Sequence, residues 1–269
     1  LSQLTSETGF STQHYRSDSL HNRLQKDDTS YAVNSLNELT SAAASYEYDK
    51  NGNRIKMVEG NLTTHYTYDS QNRLIALDTP TQHVEYGYDA FSRRLTKARY
   101  SVDGEPLDTQ HFLYLYNNEI GSIDASNTIT ELRILAGHTT VALEIQNRLF
   151  APLYDHRNNL VQLIDAETGN PADTYRYTAF GEEITPPPAP ISPWRFSNLR
   201  MDPESNLIAF HHRYYDPETA HWLSPDPLGL AAGPNLYAYV SNNPMTHIDP
   251  FGLAEQATNC SGTPIVHGP

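Results

Sequence analysis

A Tyr-x-Tyr-Asp motif occurs three times, at 46–49, 66–69 and 86–89, with a constant spacing of 20 residues. It constrains the fold more than any other feature of the sequence. Twelve of the 18 tyrosines lie in pairs two residues apart. Because side chains two residues apart on a strand point to the same face of a sheet, each motif predicts a strand with its tyrosines on one face.

The residues that follow each motif predict a turn and a returning strand. An Asp after the second tyrosine favours a turn, because its short side chain can accept hydrogen bonds from its own backbone. An arginine and an aliphatic residue then follow at 54–55, 73–74 and 94–95. High β-propensity alone could produce Tyr-x-Tyr, but it does not explain an identical step between three copies. Each unit therefore predicts one hairpin of a long antiparallel meander, and the fold class is all-β.

Composition excludes several classes of protein. The formal net charge is −14, from 32 acidic and 18 basic residues, and such a surface repels phosphate, which argues against nucleic acid as a partner. No apolar run is long enough to span a membrane. The single cysteine, Cys260, cannot form an internal disulfide. The N-terminus shows no signal peptide and no initiator Met, so we expect a segment of a longer protein.

The tyrosine motifs resemble the YD repeat of Rhs-type bacterial polymorphic toxins, which teneurins and the C components of Tc toxin complexes share. This resemblance implies that the meander forms part of a spiralled β-shell, or cocoon, closed by a core domain. Residues 194–253 resemble the Rhs repeat-associated core domain nearly motif for motif. The sequence is thus divided into a YD-repeat meander over 1–152, a core domain with a self-cleavage site over 153–253, and a short remnant of the variable C-terminal region over 254–269.

Four Asp-Pro bonds follow Asp202, Asp216, Asp226 and Asp249. Proline holds the preceding residue extended, so each Asp is displayed at a kink. We interpret Asp202 and Asp216 as turn residues. Asp226 and Asp249 differ, because they occupy near-identical Asp-Pro-(Leu/Phe)-Gly-Leu sequences 23 residues apart, which predicts two equivalent loops that face each other.

Two close carboxyl groups cannot both ionise cheaply, so they share a proton. Such a pair can activate water and protonate a leaving amide nitrogen, as in aspartic proteases. The family resemblance implies a self-cleaving site of Arg213, Asp226 and Asp249, with the cut between Leu253 and Ala254. No cofactor, no metal and no activity on other substrates is expected.

Other candidate residues have structural explanations. His211, His212 and His221 lack a standard zinc spacing, so we expect surface or packing roles for them. The arginines of the repeats are expected to pair with acids or to stack on tyrosines across the sheet; they are Arg54, Arg73 and Arg94. Residues 185–190 predict a proline-rich spacer.

The leading hypothesis is the C-terminal part of a toxin shell that encloses a C-terminal effector and releases it by cutting itself after Leu253. Its expected partners are the effector, the remaining N-terminal shell repeats or a partner shell subunit, and a secretion or delivery machinery. The expected location is secreted or delivered to a cell surface by bacteria. Two alternatives stay open: a cell-surface adhesion or carbohydrate-binding module without catalysis, and an inert remnant that has lost the cleavage geometry.

Overall fold

The computed structural model describes residues 3–136 and 139–257, and almost all regular structure in these ranges is β-strand. Three short 3-10 helices lie at Phe196–Asn198, Gly229–Ala231 and Val240–Asn242. The strands are, in chain order, β1 (Ser6–Glu7), β2 (Gln13–Ser17), β3 (Arg23–Lys26), β4 (Thr29–Ser30), β5 (Ala32–Val33), β6 (Leu39–Ser41), β7 (Ser45–Tyr48), β8 (Arg54–Glu59), β9 (Leu62–Tyr68), β10 (Leu74–Asp78), β11 (Gln82–Tyr88), β12 (Arg94–Ser101), β13 (Pro106–Leu115), β14 (Asn118–Asp124), β15 (Ile129–Ala136), β16 (Thr139–Ile145), β17 (Arg148–Tyr154), β18 (Leu160–Asp165), β19 (Pro171–Thr174), β20 (Arg200–Asp202), β21 (Leu207–Ala209), β22 (Tyr214–Asp216), β23 (His221–Trp222), β24 (His247–Ile248) and β25 (Gln256–Ala257).

Strands β5 to β19 form one 15-stranded sheet in which each strand lies beside the next in the chain. All neighbours pair antiparallel, as in Tyr46 opposite Met57 on β7 and β8. Smaller sheets comprise β1 to β4, β20 to β23, and the pair β24 and β25. The predicted all-β class and the predicted long meander are both confirmed.

A recurring turn joins the hairpins, and Asp69 shows its geometry. Its Oδ1 accepts hydrogen bonds from the backbone N–H groups of Gln71 and Arg73 at 2.8 and 3.0 Å, and its Oδ2 accepts one from Arg73 Nε at 2.7 Å. Arg73 Nη1 donates in turn to the carbonyl of Asp89 at 3.0 Å, which links one turn to the next. The same pair of backbone bonds forms at Asp18, Asn34, Asp49, Asp89, Asp124 and Asp155.

We expect Asp69→Ala to lower the free energy of unfolding by about 1 to 2 kcal/mol, because two backbone donors and a guanidinium lose their acceptor. Urea denaturation measures the change. Asp103→Ala is the control, since Asp103 is exposed and its carboxylate makes no hydrogen bond to any described residue. Equal losses in the two variants would contradict the role of the capped turn.

One face of the large sheet is covered by the segment from Trp194 to Leu223. Tyr66 and Tyr86 of the sheet pack with Tyr214 and Leu223 of that segment in one apolar cluster. A second cluster joins the covering segment to other parts of the chain and is built on large aromatic side chains, namely Tyr15, Phe180, Phe196, Phe210, Tyr215, Trp222 and Tyr239. The tyrosines of the second and third motifs therefore lie on the covered face, as predicted from their spacing, and Tyr46 and Tyr48 of the first motif pack in a neighbouring cluster with Tyr31 and Leu39.

Buried arginines hold the sheet to this covering segment. Arg54 Nη1 lies 2.8 Å from Asp216 Oδ2, and Arg94 Nη1 lies 2.5 Å from Asp202 Oδ2. The guanidinium of Arg54 also lies 4.4 Å from the ring centre of Tyr46. The predicted pairing and stacking of these arginines is confirmed. Asp202 and Asp216 begin turns as predicted, and in addition each is the counter-ion of a buried arginine.

Arg73, in the turn before β10, also pairs with an acid and stacks on a tyrosine as predicted: its guanidinium contacts Asp69 and lies 5.0 Å from the ring centre of Tyr88. The prediction that tyrosines two residues apart share one face of the sheet is wrong for Tyr114 and Tyr116, because Tyr116 is 84% exposed. Tyr116 adopts a positive φ of 56° in the turn between β13 and β14, so its side chain leaves the face that Tyr114 occupies.

Strand β17 crosses the predicted boundary at 152/153, and the large sheet continues to Thr174. The division into 1–152 and 153–253 marks no break in the sheet, and it stays a prediction about sequence segments. Residues 185–190 have no regular secondary structure and are largely exposed.

Candidate functional site

Short elements after the large sheet bring the three predicted site residues together. Arg213 directly precedes β22, Asp226 follows β23, and Asp249 follows β24. Backbone bonds fix these loops against each other: Asp226 N donates to the carbonyl of Leu236 at 3.1 Å, and His212 N donates to that of Phe251 at 3.1 Å. The three residues are separated by 13 and 23 positions along the chain, yet they form one cluster in the structure.

The Arg213 guanidinium lies at the centre of the cluster. Its Nη2 is 2.7 Å from Asp226 Oδ2 and 3.4 Å from Asp249 Oδ2, so one nitrogen bridges both carboxylates. Nε donates to the carbonyl of Gly252 at 2.7 Å, and Nη1 donates to that of Leu236 at 3.1 Å. These bonds fix the orientation of the guanidinium fork.

The two carboxyl groups are held differently by backbone donors. Asp249 Oδ1 accepts N–H groups from Phe251, Gly252 and Leu253 at 3.2, 2.8 and 3.0 Å. Asp226 Oδ1 accepts one, from Leu228 at 2.9 Å. In both loops the Asp carboxylate accepts the backbone N–H of the residue two positions later. Only in the Asp249 loop do the next two backbone N–H groups also donate to the carboxylate.

Burial changes the protonation of the cluster. It raises the pKa of Asp226 above its ordinary range; the Arg213 charge opposes the rise and the Asp249 charge adds to it. Burial also lowers the pKa of Arg213, against the attraction of both carboxylates. The raised pKa favours the protonated form of Asp226.

The predicted scissile bond lies in the loop between β24 and β25, which pair antiparallel with His247 opposite Ala257. An open cleft of about 400 Å³ reaches this loop. Its lining includes the three site residues and both residues of the predicted cut, namely Arg213, Asp226, Asp249, Leu253 and Ala254.

Gly252 meets two constraints beside the cut. Its φ is +73°, in the left-handed region that favours glycine. A Cβ there would lie 3.1 Å from Phe210 Cβ and 3.4 Å from Arg213 N. The glycine of the Asp-Pro-Phe-Gly-Leu sequence therefore lets the loop approach the arginine closely.

Sequence reasoning missed two contacts of the cluster. The indole of Trp222 lies 4.1 Å from the Arg213 guanidinium carbon and is almost fully buried. The second is the carbonyl of Leu236, and no side-chain pattern could have indicated a backbone acceptor. Trp222 lies opposite Tyr215 on the fully buried strands β22 and β23, so its large apolar side chain could have been placed in the core but not against Arg213.

The histidines lie outside this cluster of carboxylates. His221 is buried, lies parallel to the Tyr237 ring at 6.2 Å, and has its pKa lowered to about 3 by burial. His211 Nε2 lies 3.1 Å from the carbonyl of Phe91. Within the described ranges, no group of three metal-ligating side chains occurs. Cys260 lies outside the described residues.

Helices that could cross a bilayer are absent from the described part of the chain, where none is both long and apolar enough.

Comparison with known proteins settles the family. The family model described as the teneurin YD-shell matches residues 1–245. The chain belongs to the teneurin YD-shell family. Its relatives include the "probable deoxyribonuclease RhsA" of Dickeya dadantii, 29% identical over 243 residues, and the "tRNA nuclease WapA" of Bacillus subtilis, 28% identical over 250 residues. These matches cover 81% and 84% of this chain, but only 16% and 10% of the relatives.

Solved structures agree on the fold. The crystal structure of TcdB2-TccC3 matches 90% of this chain with a TM-score of 0.56 at 19% identity, and the match covers 17% of that chain. This YD-shell segment is therefore of the kind found in Rhs and Tc toxin-like proteins, and it spans a small part of each relative's length.

Proposed function

We propose that this chain is the C-terminal part of an Rhs-type toxin shell, which encloses an effector and releases it by cutting its own chain after Leu253. The observation that carries the proposal is the bridge from Arg213 to two buried carboxylates, in a cleft that Leu253 and Ala254 also line. The names of the relatives describe nucleases, and the matches cover a minor share of their length. The effector is accordingly proposed to be a separate part of the polypeptide.

The chemistry follows from one proton shared by two carboxyl groups. The ionised carboxylate accepts a proton from water, and the water oxygen attacks the Leu253 carbonyl carbon. The protonated carboxyl donates its proton to the Ala254 nitrogen as the C–N bond breaks. The products are a Leu253 carboxylate and an Ala254 amine.

Arg213 has an electrostatic role in this scheme. Its Nη2 stabilises whichever of Asp226 and Asp249 carries the negative charge, and its other nitrogens are held by backbone carbonyls. The reaction consumes its own chain, so the expected stoichiometry is one cut per molecule.

The same proposal includes partners and location. The shell needs further repeats, either N-terminal to this segment or from a partner subunit, because the matched relatives and solved chain are several times longer. A bacterial secretion or delivery machinery would carry the whole protein. The similarity to the Tc toxin shell and to named Rhs proteins supports this assignment.

A carbohydrate-binding module is the second candidate. Phe91 and Tyr116 are exposed by 71% and 84%, and Arg93 connects them by lying 5.5 Å from the Phe91 ring centre and donating to the Tyr116 carbonyl at 2.9 Å. Exposed aromatic rings on neighbouring turns offer faces on which a sugar can stack.

Two measurements on the purified chain separate the candidates. Self-cleavage predicts a time-dependent shortening of the chain and no glycan binding. Adhesion predicts a stable full-length chain that binds on a glycan array and loses binding in Phe91→Ala with Tyr116→Ala. A chain that neither shortens nor binds contradicts both proposals and favours the inert remnant.

A further inference from the structure

Residues 234–242 join the candidate site to the first turns of the chain. In the middle of this segment, the carbonyl of Leu236 accepts hydrogen bonds from Arg213 Nη1 and from Asp226 N, both at 3.1 Å. The position of Leu236 therefore sets the position of two of the three site residues. Strand β23 holds the next residues, because Trp222 N donates to the carbonyl of Tyr237 at 3.0 Å, and further contacts come from more than 200 residues earlier in the sequence.

Asn235 attaches the segment to the first turn. Its Nδ2 donates to the carbonyl of Leu20 and to Asn22 Oδ1, both at 2.8 Å. Its Oδ1 accepts the backbone N–H groups of Tyr237 and Ala238 at 3.0 and 3.2 Å. The Asn235 side chain thus hydrogen-bonds to the backbone on the C-terminal side of Leu236 and also connects this segment to residues 20–22.

Asn22, whose Oδ1 accepts the hydrogen bond from Asn235, is almost fully buried. Its Nδ2 donates to Asp18 Oδ2 at 3.0 Å within its own turn, and to Asn37 Oδ1 at 2.8 Å in the next turn. Asn37 Nδ2 donates to the carbonyl of Pro234 at 3.3 Å. The turns that contain Asn22 and Asn37 therefore both hydrogen-bond to residues 234 and 235.

The far end of the segment is fastened to the same part of the chain. Asn242 is buried, and its Nδ2 donates to the carbonyl of His21 at 2.7 Å and to Ser17 Oγ at 3.1 Å. The carbonyl of Asn242 accepts the N–H of Leu4 at 2.9 Å. Contacts with residues 4–37 therefore flank Leu236 on both sides, and Tyr237 Oη also donates to the carbonyl of Gly52 at 2.9 Å, a contact that does not involve the Asn53 side chain.

We propose that Asn22 and Asn235 form an interlock that positions Arg213, so that the self-cleavage site is complete only when the first turns have closed on residues 234–242. The inference rests on the proposed function. Both asparagines are positioning residues, because they act on Arg213 and Asp226 through the carbonyl of Leu236. In a shell, this coupling would delay the cut until the early repeats and the C-terminal segment are joined.

Asn53 provides a matched control within the same repeat architecture. Its Nδ2 donates to Asp49 Oδ2 and to Asn72 Oδ1, both at 2.9 Å, which reproduces the two turn contacts of Asn22. Asn53 is equally buried, and among the described residues its side chain makes no hydrogen bond to residues 234–242. Asn22→Ala and Asn53→Ala therefore remove the same turn contacts, and only the first removes the interlock.

The test follows the rate of self-cleavage in wild type, Asn22→Ala, Asn235→Ala, the double variant and Asn53→Ala, beside thermal unfolding of each. We expect cleavage about tenfold slower in Asn22→Ala and in Asn235→Ala, because a displacement of about 1 Å at a site can cost about 100-fold and the remaining contacts of Arg213 should limit the shift to less than that. The double variant should slow cleavage by less than the product of the two single effects, since both single variants remove the shared Asn22–Asn235 hydrogen bond. Asn53→Ala should lose stability like Asn22→Ala but keep the wild-type rate.

Two results would overturn the interlock while leaving self-cleavage intact. One is a wild-type rate in both Asn22→Ala and Asn235→Ala. The other is an equal slowing in Asn22→Ala and Asn53→Ala, which would trace the effect to general weakening of the turns. A wild-type chain that stays uncut would instead contradict the proposed function itself.

Discussion

Asp226→Asn is expected to stay at full length while the wild-type chain loses residues 254–269. The amide cannot carry or accept the shared proton, so the step that needs both carboxyl groups stops. We expect self-cleavage to be slower by about 10³-fold or more, because the Asp226 carboxyl acts together with Asp249 and Arg213 and the others cannot replace it. Mass spectrometry of samples taken over time measures the effect.

Two controls test whether Asp226→Asn stops cleavage without disrupting the fold. Asp103→Asn makes the same chemical change at an exposed turn and should be cut at the wild-type rate. Thermal unfolding of Asp226→Asn should show a folded protein, because the amide oxygen can still accept the Leu228 N–H. Equal tail release by Asp226→Asn and wild type would refute the assignment of Asp226.

Arg94→Met is expected to lower the free energy of unfolding by about 3 to 5 kcal/mol, because it leaves the fully buried Asp202 carboxylate without its main counter-ion. Urea denaturation measures the loss. Arg99→Met is the matched control: Arg99 lies on the same strand as Arg94, pairs with the exposed Asp108 of β13, and touches Glu204 only at 3.5 Å, where Lys97 remains a nearer partner at 3.0 Å, so its loss should cost about 1 kcal/mol. Similar losses in both variants would contradict the role of the buried pair.

The same pair predicts a pH dependence of stability. Burial opposes ionisation of Asp202, but the charges of Arg94 and Lys97 outweigh it and lower its pKa to about 2. An unfolded Asp has a pKa of about 3.9, so the contribution is complete above that pH and is lost as the pH falls toward 2. Arg94→Met should show a weaker loss over this window.

Local periodicity was enough to predict the sheet. The step between Asp49, Asp69 and Asp89 indicated turns, and the tyrosine pairs indicated the covered face, because both signals act within a few residues. The sequence could not place Tyr116, since its positive φ arises from the turn that it occupies. Nor could it show that the sheet runs past residue 152, because strand pairing beyond the repeats depends on long-range contacts.

The candidate site was predicted in identity but not in geometry. Two matching Asp-Pro sequences and a family resemblance named Arg213, Asp226 and Asp249, and the structure places them in contact. The carbonyl of Leu236 and the Asn22–Asn235 contact carry no local signal, because they join residues more than 200 positions apart. Such contacts appear only once residues 234–242 are folded against the first turns and Arg213.

Peptide mapping of the purified wild-type chain is the most direct test of self-cleavage. We predict a shortened chain whose last residue is Leu253, together with a fragment that begins at Ala254, and neither product in Asp226→Asn prepared in parallel. A wild-type chain that remains intact through Pro269, or one cut at another bond equally in both proteins, would contradict this prediction.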